Sequence, residues 1–368
     1  MDKFIPIYQP DLSGNELKYV TDCVKSGWVS SLGKYVGRFE EAFAKFCRVE
    51  HAIAVCNGTV AIHLALIVLG IGPGDEVILP TLTFVATANA VRYTGATPVF
   101  VDSEPETWTI NPELIEEKIT VHTKAIIPVH LYGHPAEMSP ILELADANRI
   151  YVIEDAAEAH GAEYRNRKAG SLGHIGCFSF YGNKVLTTGE GGILTTNDEE
   201  LARKSRFLKD HGMSKELRYW HPLVGYNYRM TNVAAALGLA QLERVNLILK
   251  RKRELAKFYQ SRLKDCPGVI CQSEAEWAKN IYWMFSILVT EDAPLDRNDL
   301  IIALGERGID SRPFFIPMHQ LPPYREENGI YPVADNLSKR GINLPSYPTL
   351  DEADIKYICE SIYELCTN

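Results

Sequence analysis

From residue 51 to residue 154, short apolar runs that are typical of strands alternate with segments of helical periodicity. The predicted strands are residues 52–56, 76–80, 97–101, 124–130 and 150–154, and the predicted helices are residues 60–69, 84–93, 111–119 and 136–148. Strands of continuous apolar residues are expected where helices cover both faces of a parallel sheet. The alternation therefore predicts an α/β fold, a doubly wound and mostly parallel sheet flanked by helices.

The pattern changes towards the carboxyl end of the chain. Residues 177–181 and 192–196 are predicted to add strands to the first sheet, and residues 198–211 to form a helix with Asp198 as its N-cap. After about residue 230, a long or broken helix (230–263) precedes short strands and helices of a smaller α+β region. A chain of 368 residues favours two domains. We predict a large domain over residues 1–240, with an N-terminal segment at 1–50, and a small domain over residues 241–368.

The net charge and the composition of the chain argue against several classes of function. The 38 Lys and Arg residues against 47 Asp and Glu residues leave a net charge of −9, which argues against general binding of nucleic acid or membrane surfaces. The basic cluster at residues 250–253 falls in a helical pattern and is interpreted as a solvated face. The start, MDKFIPIYQPDL, lacks the pattern of a signal or transit peptide, and no apolar run approaches the length of a membrane span.

The spacing of the cysteines and histidines gives predictions about the cellular compartment and about metal binding. The eight cysteines are scattered, with no CxxC pair, so reduced thiols and a cytoplasmic location are predicted. His130 and His134 have the i,i+4 spacing of helical zinc ligands, but the LYG between them and Pro135 after them disfavour a helix. No metal site is predicted.

The stretch CFSFYGNKVLTTGEGG, residues 177–192, places Lys184 between an apolar run and a Gly/Thr-rich turn. Burial lowers the pKa of a lysine amine and leaves more of it neutral and nucleophilic. Such an amine can form a Schiff base with a carbonyl compound. A surface hairpin with its lysine in water is the alternative that this stretch alone leaves open.

Asn57-Gly58-Thr59 lies where a predicted parallel strand gives way to a helix. Ligands of open α/β sheets bind at such positions, and the free amides of a helix N-terminus favour an anion such as phosphate. An ordinary N-cap is the alternative. GxxxxGK[ST] and GxGxxG motifs are absent from the sequence, which weakens nucleotide-triphosphate and dinucleotide binding.

Asp155 follows the apolar strand that ends at residue 154, and Ser179 precedes Lys184 on a later strand. A buried carboxylate needs a partner, and a pyridinium nitrogen is one such partner. Capping of the next turn is the alternative role for Asp155. Together with the cradle at residues 57–59 and Lys184, these residues indicate a site for pyridoxal 5′-phosphate (PLP).

Three longer motifs resemble a known family. EDAAEAHGAEY at 154–164, FSFYGNKVLTTGEGG at 178–192 and GYNYRMTNVAAALGLAQLE at 225–243 are similar to the DegT/DnrJ/EryC1/StrS sugar aminotransferases. The resemblance covers essentially the whole chain and implies the type I, aspartate-aminotransferase-like fold of PLP enzymes. Other segments, including GWVSSLGKYVGRFE and SRPFFIPMHQLPPY, look like the members that act on GDP-4-keto-6-deoxy-D-mannose.

The resemblance also implies roles for individual residues. Lys184 would form the Schiff base with PLP and then carry the proton, Asp155 would pair with the ring nitrogen, and His160 would lie near the cofactor as a third catalytic candidate. The remaining cofactor contacts would come from Asn57, Gly58, Thr59, Phe84, Ala157, Glu158, Ser179 and, across a homodimer interface, Asn227. Glu158 stands where many relatives have Gln. The predicted sugar-nucleotide contacts are Trp28, Ser30, Ser31, Arg312 and His319, with a surface ion pair as the alternative for Arg312.

The implied reaction transfers an amino group from L-glutamate to the 4-keto carbon of the nucleotide-linked sugar, for surface-polysaccharide (O-antigen) synthesis. A UDP- or dTDP-linked keto sugar is an alternative substrate within the same fold. A regulatory protein that binds PLP without turnover is an alternative from another class, and the lack of a DNA-binding segment weighs against it.

Overall fold

A computed structural model describes residues 4–327 and 329–367. The outermost residues of the two predicted domains, 1–3 and 368, lie outside this part. The helices are α1 (Glu16–Ser26), α2 (Lys34–Cys47), α3 (Gly58–Val68), α4 (Ala86–Tyr93), α5 (Met138–Asn148), α6 (Glu199–Leu208), α7 (Asn232–Glu243), α8 (Val245–Leu263), α9 (Arg297–Glu306), α10 (Pro332–Arg340) and α11 (Glu352–Thr367).

The strands are mostly short. They are β1 (His51–Val55), β2 (Glu76–Pro80), β3 (Thr97–Val101), β4 (Thr123–Ile126), β5 (Tyr151–Asp155), β6 (Glu163–Tyr164), β7 (Arg167–Lys168), β8 (Ile175–Ser179), β9 (Gly192–Thr196), β10 (Val269–Cys271), β11 (Ala278–Lys279), β12 (Phe285–Val289), β13 (Arg312–Pro313) and β14 (Gly341–Leu344).

Seven strands form the main sheet in the order β1-β9-β8-β5-β4-β2-β3. The neighbours from β8 to β3 pair in parallel, and β9 alone runs antiparallel to both of its neighbours. Most residues of these strands are buried, because helices cover both faces of the sheet. The predicted doubly wound, mostly parallel α/β architecture is confirmed.

The second sheet is antiparallel, with the order β10-β12-β14-β13. Its core holds residues of α8, α9 and α11, and also Ile5 from the start of the chain. Ile5 reaches this region through a bridge to Ile309. The N-terminal segment therefore contacts the small sheet, although the domain boundary near residue 240 itself stays a prediction.

Two predicted elements differ from the structure. The helix expected over 111–119 is wrong: the segment makes two 3₁₀ turns, Pro112–Leu114 and Glu116–Lys118. Ile115 is the only fully buried residue between 111 and 119, so an α-helix there would lack the apolar face that stabilises helices. The strand expected over 124–130 ends at Ile126, since Pro128 has no N–H to donate to a sheet.

The basic cluster at 250–253 also departs from its interpretation as a solvated face. Lys250 is exposed, but Lys252 is buried and contacts Trp283 and Ser346. Across the described residues, no helix combines the length and apolar character needed to cross a membrane.

Candidate active site

A cavity of about 400 Å³ opens where several strands of the main sheet end. The strands β1, β2, β4, β5 and β8 all run towards it, and the segments that follow them supply most of its wall. Its lining residues are Asn57, Gly58, Thr59, Ile62, Thr83, Phe84, Ala86, Thr87, Val129, Asp155, Ala157, Glu158, Ser179, Tyr181, Asn183, Lys184, Glu190, Trp283 and Phe315. The carboxyl edge of such a sheet is the expected place for a ligand.

The first turn of α3 forms one end of the cavity. The Asn57 side chain caps this helix by accepting from the Val60 amide at 3.0 Å. A Cβ on Gly58 would lie 2.7 Å from the Ser179 Cβ, so only glycine lets the helix start this close to β8. Gly58, Thr59 and Ser179 all line the cavity at this end, and the free amides of a helix N-terminus suit a phosphate group. Asn57 can therefore cap α3 while other amides of its first turn bind an anion.

Asp155 ends β5 and is 5% exposed. Its Oδ2 accepts from the Thr87 hydroxyl at 2.7 Å, and its Oδ1 accepts from the Ala157 amide at 3.1 Å. Burial raises the pKa of this carboxyl above its ordinary value, against the effect of these two hydrogen bonds. A cation at this position, such as a protonated ring nitrogen, would favour the ionised form. Sequence reasoning missed Thr87, whose only signal was its place one turn after Phe84.

Lys184 is buried, so the hairpin with a lysine in water is excluded. Its Nζ lies 3.3 Å from Glu158 Oε1 and 3.7 Å from the centroid of the Trp283 ring. Its backbone carbonyl accepts from the Tyr8 hydroxyl at 2.5 Å. The amine is therefore held on one side by a carboxylate and covered on another by an aromatic face.

Glu158 faces Lys184 from the turn after β5. Its Oε2 accepts from the Tyr132 amide at 2.8 Å, and burial raises the pKa of its carboxyl. Lys184 partly offsets this effect of burial. A carboxyl in this position can exchange a proton with the lysine amine, which a Gln in its place could not do.

Aromatic side chains from distant parts of the chain complete the wall. Phe84 is 54% exposed and packs on Phe315 with ring centroids 5.7 Å apart. Ala157 lies in the same lining, so both of these predicted cofactor contacts reach the cavity. Phe315 and Trp283 come from the C-terminal third of the chain, and their sequence context carried no signal that would have found them.

His160 is not brought to the cavity, although it was predicted to lie near the cofactor with a catalytic role. It is fully buried behind β8, among the rings of Phe43, Phe178 and Phe180 at 5.0–6.5 Å. The Ser179 backbone is the polar group beside its ring. This environment is that of a neutral core side chain.

Asn227 also lies away from the cavity of its own chain. It forms a bridge with Asp210 and accepts from Arg229 Nη2 at 2.9 Å. A contact with a cofactor phosphate would have to be made in another subunit, as the resemblance implies.

The five predicted sugar-nucleotide residues are not among the cavity-lining residues. Trp28, Ser30 and Ser31 lie in the loop between α1 and α2, where the buried Asn232 side chain donates to the Trp28 carbonyl at 2.6 Å. Arg312 is exposed and paired with Asp310 at 3.2 Å, which is the ion pair considered as its alternative role.

His319 is held by its neighbours. Its ring nitrogens contact Thr81 Oγ1 at 2.7 Å and Asp335 Oδ1 at 3.0 Å, and its ring stacks on Tyr331. The structure therefore uses this ring to anchor the loop after β13. Its predicted contact with substrate stays a prediction.

The histidines considered as zinc ligands have other partners. His130 bonds to Glu154 at 2.9 Å and accepts from the Ala136 amide, and His134 contacts the Pro135 carbonyl and the Ala275 amide. Among the described residues, no group of three or more His, Cys, Asp or Glu side chains is arranged to hold a metal ion.

Replacing His160 with phenylalanine tests its position in the core. Burial, and next the charge of Lys184, lower the pKa of His160 from 6.5 to about 3. The unfolded chain therefore binds a proton between these pH values that the folded chain does not, so stability falls as pH falls below 6.5. Between pH 7 and pH 5 this amounts to about 2 kcal/mol, which His160→Phe is expected to remove.

Urea unfolding at both pH values measures the difference, with the exposed His122→Gln as control. We expect His160→Phe to keep most of its turnover. A loss of more than about 100-fold in a folded variant would return His160 to a catalytic role.

Comparison with known proteins agrees with this geometry. The profile of the DegT/DnrJ/EryC1/StrS aminotransferase family matches residues 10–363. The chain belongs to this family. It is 49% identical to the GDP-perosamine synthase of Escherichia coli O157:H7 and 48% identical to that of Caulobacter vibrioides, covering 98% and 97% of both chains respectively. The solved PLP form of the putative sugar aminotransferase Spr1654 from Streptococcus pneumoniae superposes with a TM-score of 0.94 at 28% identity over 99% of both chains.

The predicted family resemblance and type I fold are thereby confirmed, and the protein is a PLP-dependent aminotransferase. The residues of the cavity fit the cofactor. The α3 cradle at Gly58 and Ser179 suits its phosphate, the buried carboxylate of Asp155 suits its ring nitrogen, and the buried amine of Lys184 suits its aldehyde. These three groups lie in one cavity although they come from different strands.

Proposed function

We propose that this aminotransferase transfers the amino group of L-glutamate to the 4-keto carbon of GDP-4-keto-6-deoxy-D-mannose and forms GDP-perosamine, a sugar donor for surface polysaccharide. The observation that carries the proposal is the buried Lys184 amine between Glu158 and Trp283, in the same cavity as Asp155 and the α3 cradle. The name of the two curated relatives described above supports the substrate.

When bound, PLP supplies an electron sink for the carbon that loses or gains a proton. The residues of this chain bind and orient the reactants. Gly58, Thr59 and Ser179 would hold the phosphate, and Asp155 would keep the ring nitrogen protonated, with Thr87 fixing the direction of its carboxylate.

Lys184 would move the proton in both halves of the reaction as general base and acid. Glu158 Oε1, 3.3 Å from Nζ, can accept this proton and return it. Trp283 and Phe315, which line the cavity, would limit the access of water to the amine.

Because the fold alone does not identify the nucleotide of the substrate, the test compares sugars that are linked to different nucleotides. The purified enzyme is supplied with glutamate and the GDP-, UDP- or dTDP-linked 4-keto-6-deoxy sugar, and the amino-sugar product is measured by mass spectrometry. We expect kcat/KM for the GDP sugar to exceed the others by at least about tenfold. A preference for UDP or dTDP overturns the proposed substrate, and bound PLP without any glutamate-dependent product would favour the regulatory alternative.

We also infer a homodimer in which Asn227 contributes to the site of the partner subunit. Supporting this, the segment before Asn227 exposes a run of large apolar side chains, Leu217, Tyr219, Trp220, Leu223 and Val224. Contiguous exposed apolar residues of this kind mark interaction surfaces. The predicted cytoplasmic location stays a prediction.

Mixed dimers test the contribution of Asn227. Lys184→Ala and Asn227→Ala subunits are each expected to be weakly active alone. If the two residues come from different subunits, a mixed dimer contains one site with both native residues, and activity returns to about half per dimer. The absence of any recovery in verified mixed dimers would place both residues in one chain.

A further inference from the structure

Lys252 is a buried lysine that the proposed reaction does not use. It lies on α8 in the small domain, is 1% exposed, and burial lowers the pKa of its amine to about 7. Its Nζ donates to the Trp283 carbonyl at 3.0 Å, to the Ser346 carbonyl and to Ser346 Oγ at 3.1 Å. Three acceptors match the three N–H donors of an ammonium group.

Removing the charged amine of Lys252 from water costs solvation free energy. Within the described residues, no carboxylate hydrogen-bonds to its amine, so the charge is stabilised by dipoles alone. A buried cation of this kind stabilises the fold less than an apolar side chain of similar volume would, if other donors were present for the carbonyls to which it bonds. Stability alone therefore does not explain the lysine, and its position is better explained by the group that it holds in place.

Lys252 holds Trp283, whose side chain contacts both Lys184 and the preceding residue, Asn183. The face of its ring lies 3.7 Å from Lys184 Nζ, and its Nε1 donates to the Asn183 carbonyl at 2.7 Å. One side chain thus covers the lysine amine and holds the peptide that precedes it. Among the described residues, Lys252 is the one hydrogen-bond donor to the Trp283 carbonyl, while the Trp283 ring also stacks on Tyr132.

We propose that Lys252 is a positioning residue that fixes Trp283 against Lys184, so that the small domain sets the place of the reacting amine. The chain of contacts runs from α8 through the Trp283 carbonyl and ring to Lys184 Nζ. The inference rests on the proposed role of Lys184 as the cofactor lysine, but not on the identity of the sugar.

Tyr259 offers a matched control. It lies on the same helix, is fully buried, and its hydroxyl donates to the Pro345 carbonyl at 2.8 Å. Tyr259→Phe therefore weakens the contact between α8 and the segment at 345–346, as Lys252→Met does, but leaves Trp283 untouched.

The first readout needs neither cofactor nor sugar. Cofactor-free protein is treated with trinitrobenzenesulfonate, and labelling of the Lys184 peptide is followed by mass spectrometry. Because the indole no longer covers the amine, Lys252→Met is expected to label at least about threefold faster than wild type. Tyr259→Phe should label at the wild-type rate.

The second readout is turnover of the PLP-loaded enzyme. A displaced Lys184 amine is expected to lower kcat about tenfold in Lys252→Met, with KM for glutamate changed much less. Lys252→Arg, which keeps the charge and donors, should recover part of this loss.

Equal labelling of Lys184 in folded Lys252→Met and Tyr259→Phe would overturn the inference and leave Lys252 a purely structural residue. If Lys252→Met does not fold, the shorter and uncharged Lys252→Gln replaces it, and a wild-type labelling rate in that variant has the same meaning. A failure of the GDP-sugar assay alone leaves the labelling result standing, so the two proposals fail separately.

Discussion

Replacing Lys184 with alanine is expected to lower glutamate-dependent amination at least about 1,000-fold, because the variant loses both the amine that binds PLP and the group that moves the proton. The visible absorbance of the lysine-linked cofactor should disappear at the same time. Turnover is measured with the GDP-linked keto sugar, and the absorbance spectrum is recorded on the PLP-saturated variant.

Lys184→Arg separates the effect of losing the positive charge from the effect of losing the reactive amine. It keeps a cation that can pair with Glu158 and face Trp283, so we expect a folded protein with normal thermal unfolding and no absorbance band. Substantial turnover in Lys184→Ala would contradict the assignment of this residue. Loss of folding in Lys184→Ala but not in Lys184→Arg would show that the Glu158 contact serves stability first.

Replacing Asp155 with asparagine should lower kcat at least about 100-fold, because a neutral amide cannot keep the ring nitrogen protonated. The shape of the side chain is kept, and its oxygen can still accept from Thr87 or the Ala157 amide. PLP affinity should fall less than kcat. Stopped-flow measurement of each half of the reaction would show the defect with glutamate and with the keto sugar alike.

Thr87→Val is the matched control for Asp155. It removes one hydrogen bond to the carboxylate and leaves the charge, so we expect a loss of less than about tenfold. An Asp155→Asn variant with more than half of the wild-type kcat would mean that the ring nitrogen does not depend on this carboxylate.

Local pattern predicted that several candidate residues converge on one cavity. Gly58, Asp155, Ser179 and Lys184 follow or end strands of one sheet, and the carboxyl ends of such strands meet at one edge by construction. Their convergence could therefore be argued from the order of apolar runs before any contact was known. The strands β2, β3 and β9 were predicted with their observed bounds for the same reason.

The same reasoning failed where a side chain's surroundings come from distant segments. His160 lies in a motif next to Asp155, but the turn after β5 directs it into the aromatic core rather than the cavity. Lys252 lies in a run of four basic residues, yet it is buried because α8 packs on segments about 30 and 90 residues away.

The sequence by itself determined the alternation of strands and helices and the convergence of Lys184 and Asp155 at one edge of the sheet, because periodicity and strand order are local properties. Only the tertiary structure decided what surrounds these groups. Thr87, Glu158 and Trp283 reach Asp155 or Lys184 through turns and a second sheet whose packing depends on many side chains at once. Hydrogen bonding and desolvation act over a few ångströms in space, and neighbours at that distance are not encoded by neighbours in sequence.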